Sequence, residues 1–251
     1  MFWGVDVGST YTKITGINKR KEIVDAVVIP TIINQDEIVK NYLKNKPVEM
    51  IVSTGYGRYM MEEAFHCPVI SEIKAHAKGA FFCNNEVDMV IDLGGQDSKV
   101  IKLDHNGGFI DFKMNDKCAA GTGKFLEIAA NRMGMDMVEF SQIGFESNKK
   151  LEISSMCAVF AESEVISLIA KKESAANICH GVHDSIASRL STMAKKFASK
   201  SNLIVFTGGG ALNPFLHHLL SKKLEKEIVI PINPQQIGSF GAALCALELF
   251  E

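Results

Sequence analysis

The fold is decided by two similar stretches, VDVGSTYTKI at residues 5–14 and IDLGGQDSKV at residues 91–100. Asp92 follows Asp6 by 86 residues, and the same offset matches the next glycine and lysine of one stretch with those of the other. Each stretch places β-branched residues on both sides of a glycine turn, which predicts a strand, a turn and a second strand. The sequence therefore indicates an internal duplication.

Each copy continues into a polar turn, at residues 18–21 or 104–108, and a third predicted strand. Further strands are predicted at residues 50–53, 202–207 and 227–231. Helices are predicted at residues 36–44, 56–65, 72–82, 119–133, 138–142, 158–200 with a break near Glu173, 211–223 and 235–250. Strands followed by helices, occurring twice, predict an α/β protein of two lobes with a cleft between them. We expect the first lobe at residues 1–86 and the second at 87–234, with a hinge helix at 235–251 that packs back on the first.

The two glycine turns are candidate phosphate sites. Asp6 and Asp92 each end a predicted buried strand and would hold Mg²⁺, largely through water, while backbone N–H groups of the turns contact phosphates. One such turn is equally well a simple hairpin, but two copies in a duplicated pattern favour a nucleotide site. The candidate contacts are Gly8, Ser9, Thr10, Thr12, Lys13, Gly94, Gly95 and Gln96.

A third candidate piece is VFTGGGALN at residues 205–213, where Gly208, Gly209, Gly210 and Ala211 would let the backbone approach a flat ring and a ribose. It matches neither the dinucleotide fingerprint nor the phosphate loop of other nucleotide-binding folds. The alternative is a tight turn between a strand and a helix. Gln235 is a weaker candidate for nucleotide contact.

Together the three pieces resemble the phosphate and adenosine motifs of the superfamily that contains acetate and sugar kinases, actin and heat-shock chaperone ATPases. That resemblance implies ATP or ADP bound between two duplicated lobes. The small residues Gly238, Gly241, Ala242 and Ala243 resemble the hinge helix of that superfamily. Tight helix packing is the other explanation for them.

Two cysteines stand before predicted helices, in NDKCAAGTGK at 115–124 and SSMCAVFAE at 154–162. A helix N-terminus stabilises thiolates, but four thiolates are the usual ligand set of an iron-sulfur cluster and no C-x₂-C spacing occurs. A symmetric dimer would supply Cys118 and Cys157 twice and complete a [4Fe-4S] set. The alternative is that each is a small buried hydrophobic residue, as we expect for Cys67, Cys83, Cys179 and Cys245. A catalytic Cys179–His180 pair is disfavoured because adjacent helix positions point in different directions.

The segments DLGGQD at 92–97, residues 115–124 and residues 157–167 closely resemble the activator ATPases of 2-hydroxyacyl-CoA dehydratases and of benzoyl-CoA reductase. The resemblance implies that Cys118 and Cys157 bind one [4Fe-4S] cluster between identical subunits. It also implies a reduced ferredoxin or flavodoxin as electron donor and an iron-sulfur dehydratase or reductase as acceptor. Gln96 is our candidate for orienting the attacking water, ahead of Asp97. The family's Gly-Ala-x-Gly reads GSFG at 238–241 here.

Composition agrees with a globular protein, at 47% hydrophobic and 22% charged residues. A net charge of −2 offers no attraction for nucleic acid. There is no run of 18 apolar residues and no signal-peptide pattern at the start, so we expect a cytoplasmic protein without a membrane partner. Two other functions remain open: a small-molecule kinase of the same fold, and an actin-like assembly ATPase.

Overall fold

The computed structural model describes residues 1–153 and 158–251, except for the side chains of residues 158 and 159. Cys157 lies outside the described residues. The fold is α/β, as predicted. The strands are β1 (Phe2–Val7), β2 (Tyr11–Ile17), β3 (Ile23–Pro30), β4 (Met50–Gly55), β5 (Met89–Leu93), β6 (Ser98–Leu103), β7 (Phe109–Asn115), β8 (Ile204–Thr207) and β9 (Ile228–Val229). The helices are α1 (Gln35–Leu43), α2 (Arg58–Phe65), α3 (Glu72–Cys83), α4 (Gly123–Arg132), α5 (Met137–Ile143), α6 (Ala158–Ala170), α7 (Ala175–Ala198), α8 (Pro214–Leu224) and α9 (Ile237–Phe250).

The strands form two sheets with related strand orders. The first has the order β3-β2-β1-β4, in which β1 is antiparallel to β2 and parallel to β4. The second has the order β7-β6-β5-β8-β9, and β8 is parallel to β9. In both sheets, therefore, the first strand of each copy lies between its own second strand and a strand that follows later in the chain.

The internal duplication is visible in the strand bounds. Adding 86 residues to β1, β2 and β3 gives the bounds of β5, β6 and β7 to within one residue at each end. The register of the first copy pairs Asp6 with Lys13 across β1 and β2. The predicted repeat of three strands is thus confirmed.

The chain divides into two compact units. Unit 1 comprises residues 1–90, 101–111 and 231–251, and unit 2 comprises residues 91–100 and 112–230. In unit 1, α9 packs on β1, β2 and β4 and on α3. The approach is close, because a Cβ atom added to Gly241 would lie 1.8 Å from the Ala75 carbonyl oxygen. Successive strand residues point to opposite faces of a sheet, and Phe2 accordingly joins the α9 cluster while Trp3 joins a second core cluster.

In unit 2, the long helix α7 is the centre of the helical packing and contacts α8, α5 and α4. Ser174 caps its N-terminus, since its hydroxyl accepts a hydrogen bond from the Asn177 N–H at 3.2 Å. The predicted break near Glu173 is therefore real, and Lys172 beside it has a left-handed φ of 57°. No described helix combines the length and the apolar character that spanning a membrane requires.

Two predicted helix starts are wrong by several residues. Residues 119–121 and 209–212 form short 3₁₀ turns, and the helices begin only at Gly123 and Pro214. Thr122 and Asn213 have extended backbones at the N-cap positions, and the Asn213 side chain accepts from the Leu216 N–H at 2.8 Å. Proline at the first helical position suits this start, because it has no N–H to leave without a partner.

Candidate functional site

Each copy of the repeat pairs a lysine with a buried aspartate. Lys13 Nζ lies 3.2 Å from Asp6 Oδ2, and Lys99 Nζ lies 3.4 Å from Asp92 Oδ2. Asp6 and Asp92 are 1% and 2% exposed. Buried carboxylates are costly unless they are paired, so each pair holds a negative charge at the end of its strand. The duplication has therefore preserved the charge arrangement as well as the backbone.

The two aspartates differ in their second oxygen. Asp92 Oδ1 accepts a hydrogen bond from the Thr207 hydroxyl at 3.0 Å. Asp6 Oδ1 is buried and has no hydrogen-bond partner among the described residues. A buried carboxylate oxygen needs a donor, a water or a cation, and Mg²⁺ prefers such oxygen ligands. Asp6 Oδ1 is therefore available as a ligand for the predicted metal.

His76 is a residue that the sequence reasoning missed. It is buried on α3, four residues after Glu72, whose carboxylate lies 3.9 Å from its Nε2 atom. A Cβ atom added to Gly238 would lie 2.9 Å from His76 Nε2 and 3.2 Å from Asp6 Oδ2. The first turn of α9 thus brings an imidazole and a carboxylate against the same glycine. The spacing of Glu72 and His76 on one helix face was the available signal.

Threonine hydroxyl groups hold the first glycine turn in place. Gly8 N–H donates to the Tyr11 carbonyl at 3.1 Å, and the Thr31 hydroxyl donates to the Gly8 carbonyl at 2.8 Å. The Thr12 hydroxyl lies 2.9 Å from that of Thr31. Because Thr12 is fully buried, it supports the turn, whereas Ser9 is exposed on its surface. Thr10 is half-buried.

The second glycine turn is tied to the start of α4. Gly94 N–H donates to the Asp97 carbonyl at 3.0 Å, which closes the turn. The carbonyls of Gly94 and Gly95 accept hydrogen bonds from Gly123 N–H at 2.9 Å and Lys124 N–H at 2.8 Å. These are two of the first N–H groups of α4, which have no partner inside their own helix. A displacement of this turn would therefore also move the N-terminus of α4.

The side chains of this turn have different surroundings. Gln96, the candidate for orienting water, is exposed. Asp97 instead accepts a hydrogen bond from Lys99 Nζ at 2.7 Å. The structure thus places Asp97 in the ion-pair network of the strand and Gln96 on the surface of the turn.

The third glycine segment folds back over the end of β5. Gly208 has a φ of 83°, and a Cβ atom there would lie 2.4 Å from the Leu93 carbonyl oxygen. Only glycine accommodates both the left-handed backbone and this approach. Gly209 is exposed, whereas Gly210 and Ala211 are buried. Gln235 lies in unit 1, half-buried in a 3₁₀ turn at residues 234–236.

A buried polar chain supports the end of this segment. His183 Nδ1–H donates to the Cys179 carbonyl at 2.8 Å, and Asn213 Nδ2–H donates to His183 Nε2, also at 2.8 Å. Burial lowers the pKa of His183 to about 4, so the imidazole is neutral at physiological pH and can accept at Nε2. His183 follows Cys179 by four residues on α7, so the two side chains lie on the same helix face. Cys179 Sγ is 3.3 Å from His183 Nδ1. Sequence reasoning considered only His180.

Cys118 is a half-buried thiol at the start of the 3₁₀ turn that precedes α4. Asn115 fixes its backbone, donating from Nδ2 to the Cys118 carbonyl at 2.9 Å and accepting from the Cys118 N–H at 3.1 Å. Three of the four other described cysteines are buried as expected, whereas Cys83 is exposed, contrary to the prediction. Burial raises the pKa of Cys67 and Cys245, and that of Cys179 to about 12. A buried thiol with a raised pKa is a poor metal ligand.

The chain is similar to named activator proteins of 2-hydroxyacyl-CoA dehydratases. The chain is 38% identical to the 2-hydroxyisocaproyl-CoA dehydratase activator of Clostridioides difficile, over 98% of this chain and 94% of that protein. It is 39% identical to the (R)-2-hydroxyglutaryl-CoA dehydratase activating ATPase of Acidaminococcus fermentans, over 98% and 96%.

A solved structure of the activator of 2-hydroxyisocaproyl-CoA dehydratase from Clostridium difficile, with bound ADPNP, superposes with a TM-score of 0.91 at 36% identity. The match covers all of this chain and 96% of that one. The fold is the actin-like ATPase fold that the repeated motifs predicted. The model of the BadF/BadG/BcrA/BcrD ATPase family matches residues 3–246, and the chain belongs to that family.

Proposed function

We propose that this protein is an ATP-dependent activator that delivers single low-potential electrons to a partner iron-sulfur dehydratase or reductase. ATP would be bound by Gly8, Ser9, Thr10, Lys13, Gly94, Gly95, the 208–211 segment and Gln235, with Mg²⁺ near Asp6 and Asp92. Gln96, exposed on its turn, would orient the water that attacks the terminal phosphate.

The proposal is carried by the hydrogen bonds between the second glycine turn and α4. Gly123 is only five residues after Cys118, and its N–H donates to the Gly94 carbonyl at 2.9 Å. The intervening 3₁₀ turn and the hydrogen bonds of Asn115 restrict the movement of this segment. A change in the turn on ATP hydrolysis would therefore shift the backbone that carries Cys118.

Cys118 fits a cluster ligand better than the buried cysteines, because its thiol is half-buried at the start of a turn. A [4Fe-4S] cluster held by Cys118 and Cys157 of two identical subunits would supply one-electron transfer at low potential. A reduced ferredoxin or flavodoxin would be the electron donor. The protein itself would supply the ligands and control the exposure of the bound group.

The test begins with anaerobic purification and reconstitution with iron and sulfide. We expect a brown homodimer with about four irons per dimer, and loss of iron in Cys118→Ser. Cys83→Ser is the matched control, because Cys83 is exposed on the other unit and should keep the iron. An iron-free monomer would contradict the proposal, and colourless protein that phosphorylates a small molecule would identify a kinase instead.

Coupling is measured by the rate at which a chelator removes iron in Mg-ATP and in Mg-ADP. We expect the two rates to differ in the parent protein. Gly123→Ala should reduce the difference, because the added Cβ would lie 3.0 Å from the Gly94 carbonyl oxygen. Gly134→Asn is the control: Gly134 has a φ of 68°, which asparagine tolerates, and open space around it. Equal rates in the parent protein would argue against coupling through this contact.

A further inference from the structure

Unit 1 contains a pocket of about 650 Å³ that includes none of the predicted nucleotide-binding residues. Its walls come from α3, from the end of α9, from the turn between β2 and β3, and from the turn between β6 and β7. Pockets of roughly 300 to 1,000 Å³ are typical of small-molecule sites. The pocket is therefore large enough for a small organic ligand.

The charge of the pocket is positive, although the whole chain carries a net charge of −2. Lys21, Lys74 and Lys78 line it, and Glu248 on α9 forms an ion pair with Lys78. Within the part of the chain that the structure describes, Lys21 and Lys74 have no carboxylate partner. Asp104, in the adjoining turn, accepts hydrogen bonds from backbone N–H groups of that turn. Two ammonium groups are thus left for an anion.

The pocket also has an aromatic surface. Phe82 and Phe109 line it and are 47% and 45% exposed. Phe82 is held by an edge contact with Phe240, with ring centroids 5.3 Å apart. The opposite turn packs tightly on Phe81, because Gly107 has a φ of 79° and a Cβ atom there would lie 2.4 Å from the Phe81 ring. These contacts hold the Phe82 ring and the turn that precedes Phe109 in place before a ligand arrives.

We propose that this pocket binds a ligand that combines a phosphate group with a flat ring. Lysine ammonium groups act as point charges that suit phosphate, whereas planar carboxylate recognition usually employs arginine, and no arginine lines the pocket. Lys21 Nζ lies over the Phe82 ring, 5.9 Å from its centroid, so Phe109 offers the ring surface against which a ligand ring can pack. Two sources share this chemistry: a free mononucleotide and a coenzyme that contains a nucleotide.

The test is calorimetric titration of the full-length, nucleotide-free protein with phenyl phosphate, and the pocket variants distinguish this pocket from the ATPase site. Binding should weaken at least about tenfold in Lys74→Gln and in Lys21→Asn, since each removes a charged donor. Asparagine suits the left-handed φ of 64° at Lys21. Lys44→Gln is the matched control, because Lys44 is an exposed lysine of the same unit outside the pocket, and it should leave binding unchanged.

The aromatic contribution is tested separately. Phe109→Ser should weaken phenyl phosphate about threefold or more and leave inorganic phosphate unaffected. Titration with AMP and with coenzyme A then distinguishes a free mononucleotide from a nucleotide-containing coenzyme. The compound that binds more tightly identifies the class of ligand. No binding of phenyl phosphate, or equal losses in Lys74→Gln and Lys44→Gln, would overturn the proposal without touching the proposed ATPase function.

Discussion

Replacing Asn213 with alanine should lower the free energy of unfolding by about 2 to 4 kcal/mol. The side chain has two separate tasks: it caps α8 by accepting from the Leu216 N–H, and it donates to the buried His183 Nε2, both at 2.8 Å. Loss of an asparagine cap costs about 1 kcal/mol. Leaving a buried acceptor without its donor costs roughly 1 to 3 kcal/mol more.

Urea denaturation followed by circular dichroism measures this cost. The control is Ser174→Ala, which removes the cap of α7. Ser174 is exposed and its side chain acts as the cap, so its loss should cost only about 1 kcal/mol. If Asn213→Ala costs no more than Ser174→Ala, the contact with His183 contributes nothing and the reasoning fails.

Asn213→Asp separates the two tasks. Aspartate caps a helix as well as asparagine does, but it replaces the N–H donor with a second acceptor facing His183 Nε2. The imidazole should then take up a proton, and its pKa should rise far above the value of about 4 that burial imposes. Titration of the histidine by NMR checks this, and an unchanged pKa would show that the two side chains are not in contact.

The remaining predictions concern His183 and three other residues of unit 2. Because the pKa of His183 is lowered from 6.5 to about 4, the unfolded chain binds the proton more tightly, and this group should lower stability by up to about 3 kcal/mol between pH 6.5 and pH 4. Unfolding measured against pH should therefore show a smaller fall in His183→Gln than in the parent, because paired carboxylates such as Glu173 contribute to the fall in both. Lys99→Met should cost about 3 to 5 kcal/mol in urea denaturation, because Asp92 remains buried without its ammonium partner. Gly208→Ala should cost about 2 kcal/mol or more, since a Cβ atom would lie 2.4 Å from a carbonyl oxygen at a φ of 83°. Cys179, with a pKa raised to about 12 by burial, should resist alkylation in the native protein and react only after unfolding.

The duplicated strands could be predicted from the sequence because their signal is local. Alternating β-branched residues and a glycine turn recur with one offset, and the observed strands follow that offset to within a residue. The break before α7 was also predictable, since Ser174 is a strong cap residue. The start of α8 was mispredicted although Asn213 followed by Pro214 is a readable start signal.

Other features depend on contacts between distant parts of the chain. Neither the hydrogen bond from Gly123 to Gly94 nor the approach of His76 to Asp6 follows from residue spacing alone. The contact of His183 with Asn213 joins residues 30 positions apart and needs the packing of α7 on α8. The roles of Cys118 and Cys157 as cluster ligands stay predictions.

Unit 1 is built from segments at both ends of the chain, and the order of their synthesis affects its folding. Its sheet is complete once residue 55 has been made, but the helix that covers one face of that sheet, α9, is the last element of the unit to leave the ribosome. Until then Phe2, Val52 and their neighbours present a bare apolar face to the cell. Most of unit 2, at residues 112–230, is continuous in the chain and can consolidate first. A nascent chain stalled before residue 231 would therefore be a client for chaperones and prone to aggregation.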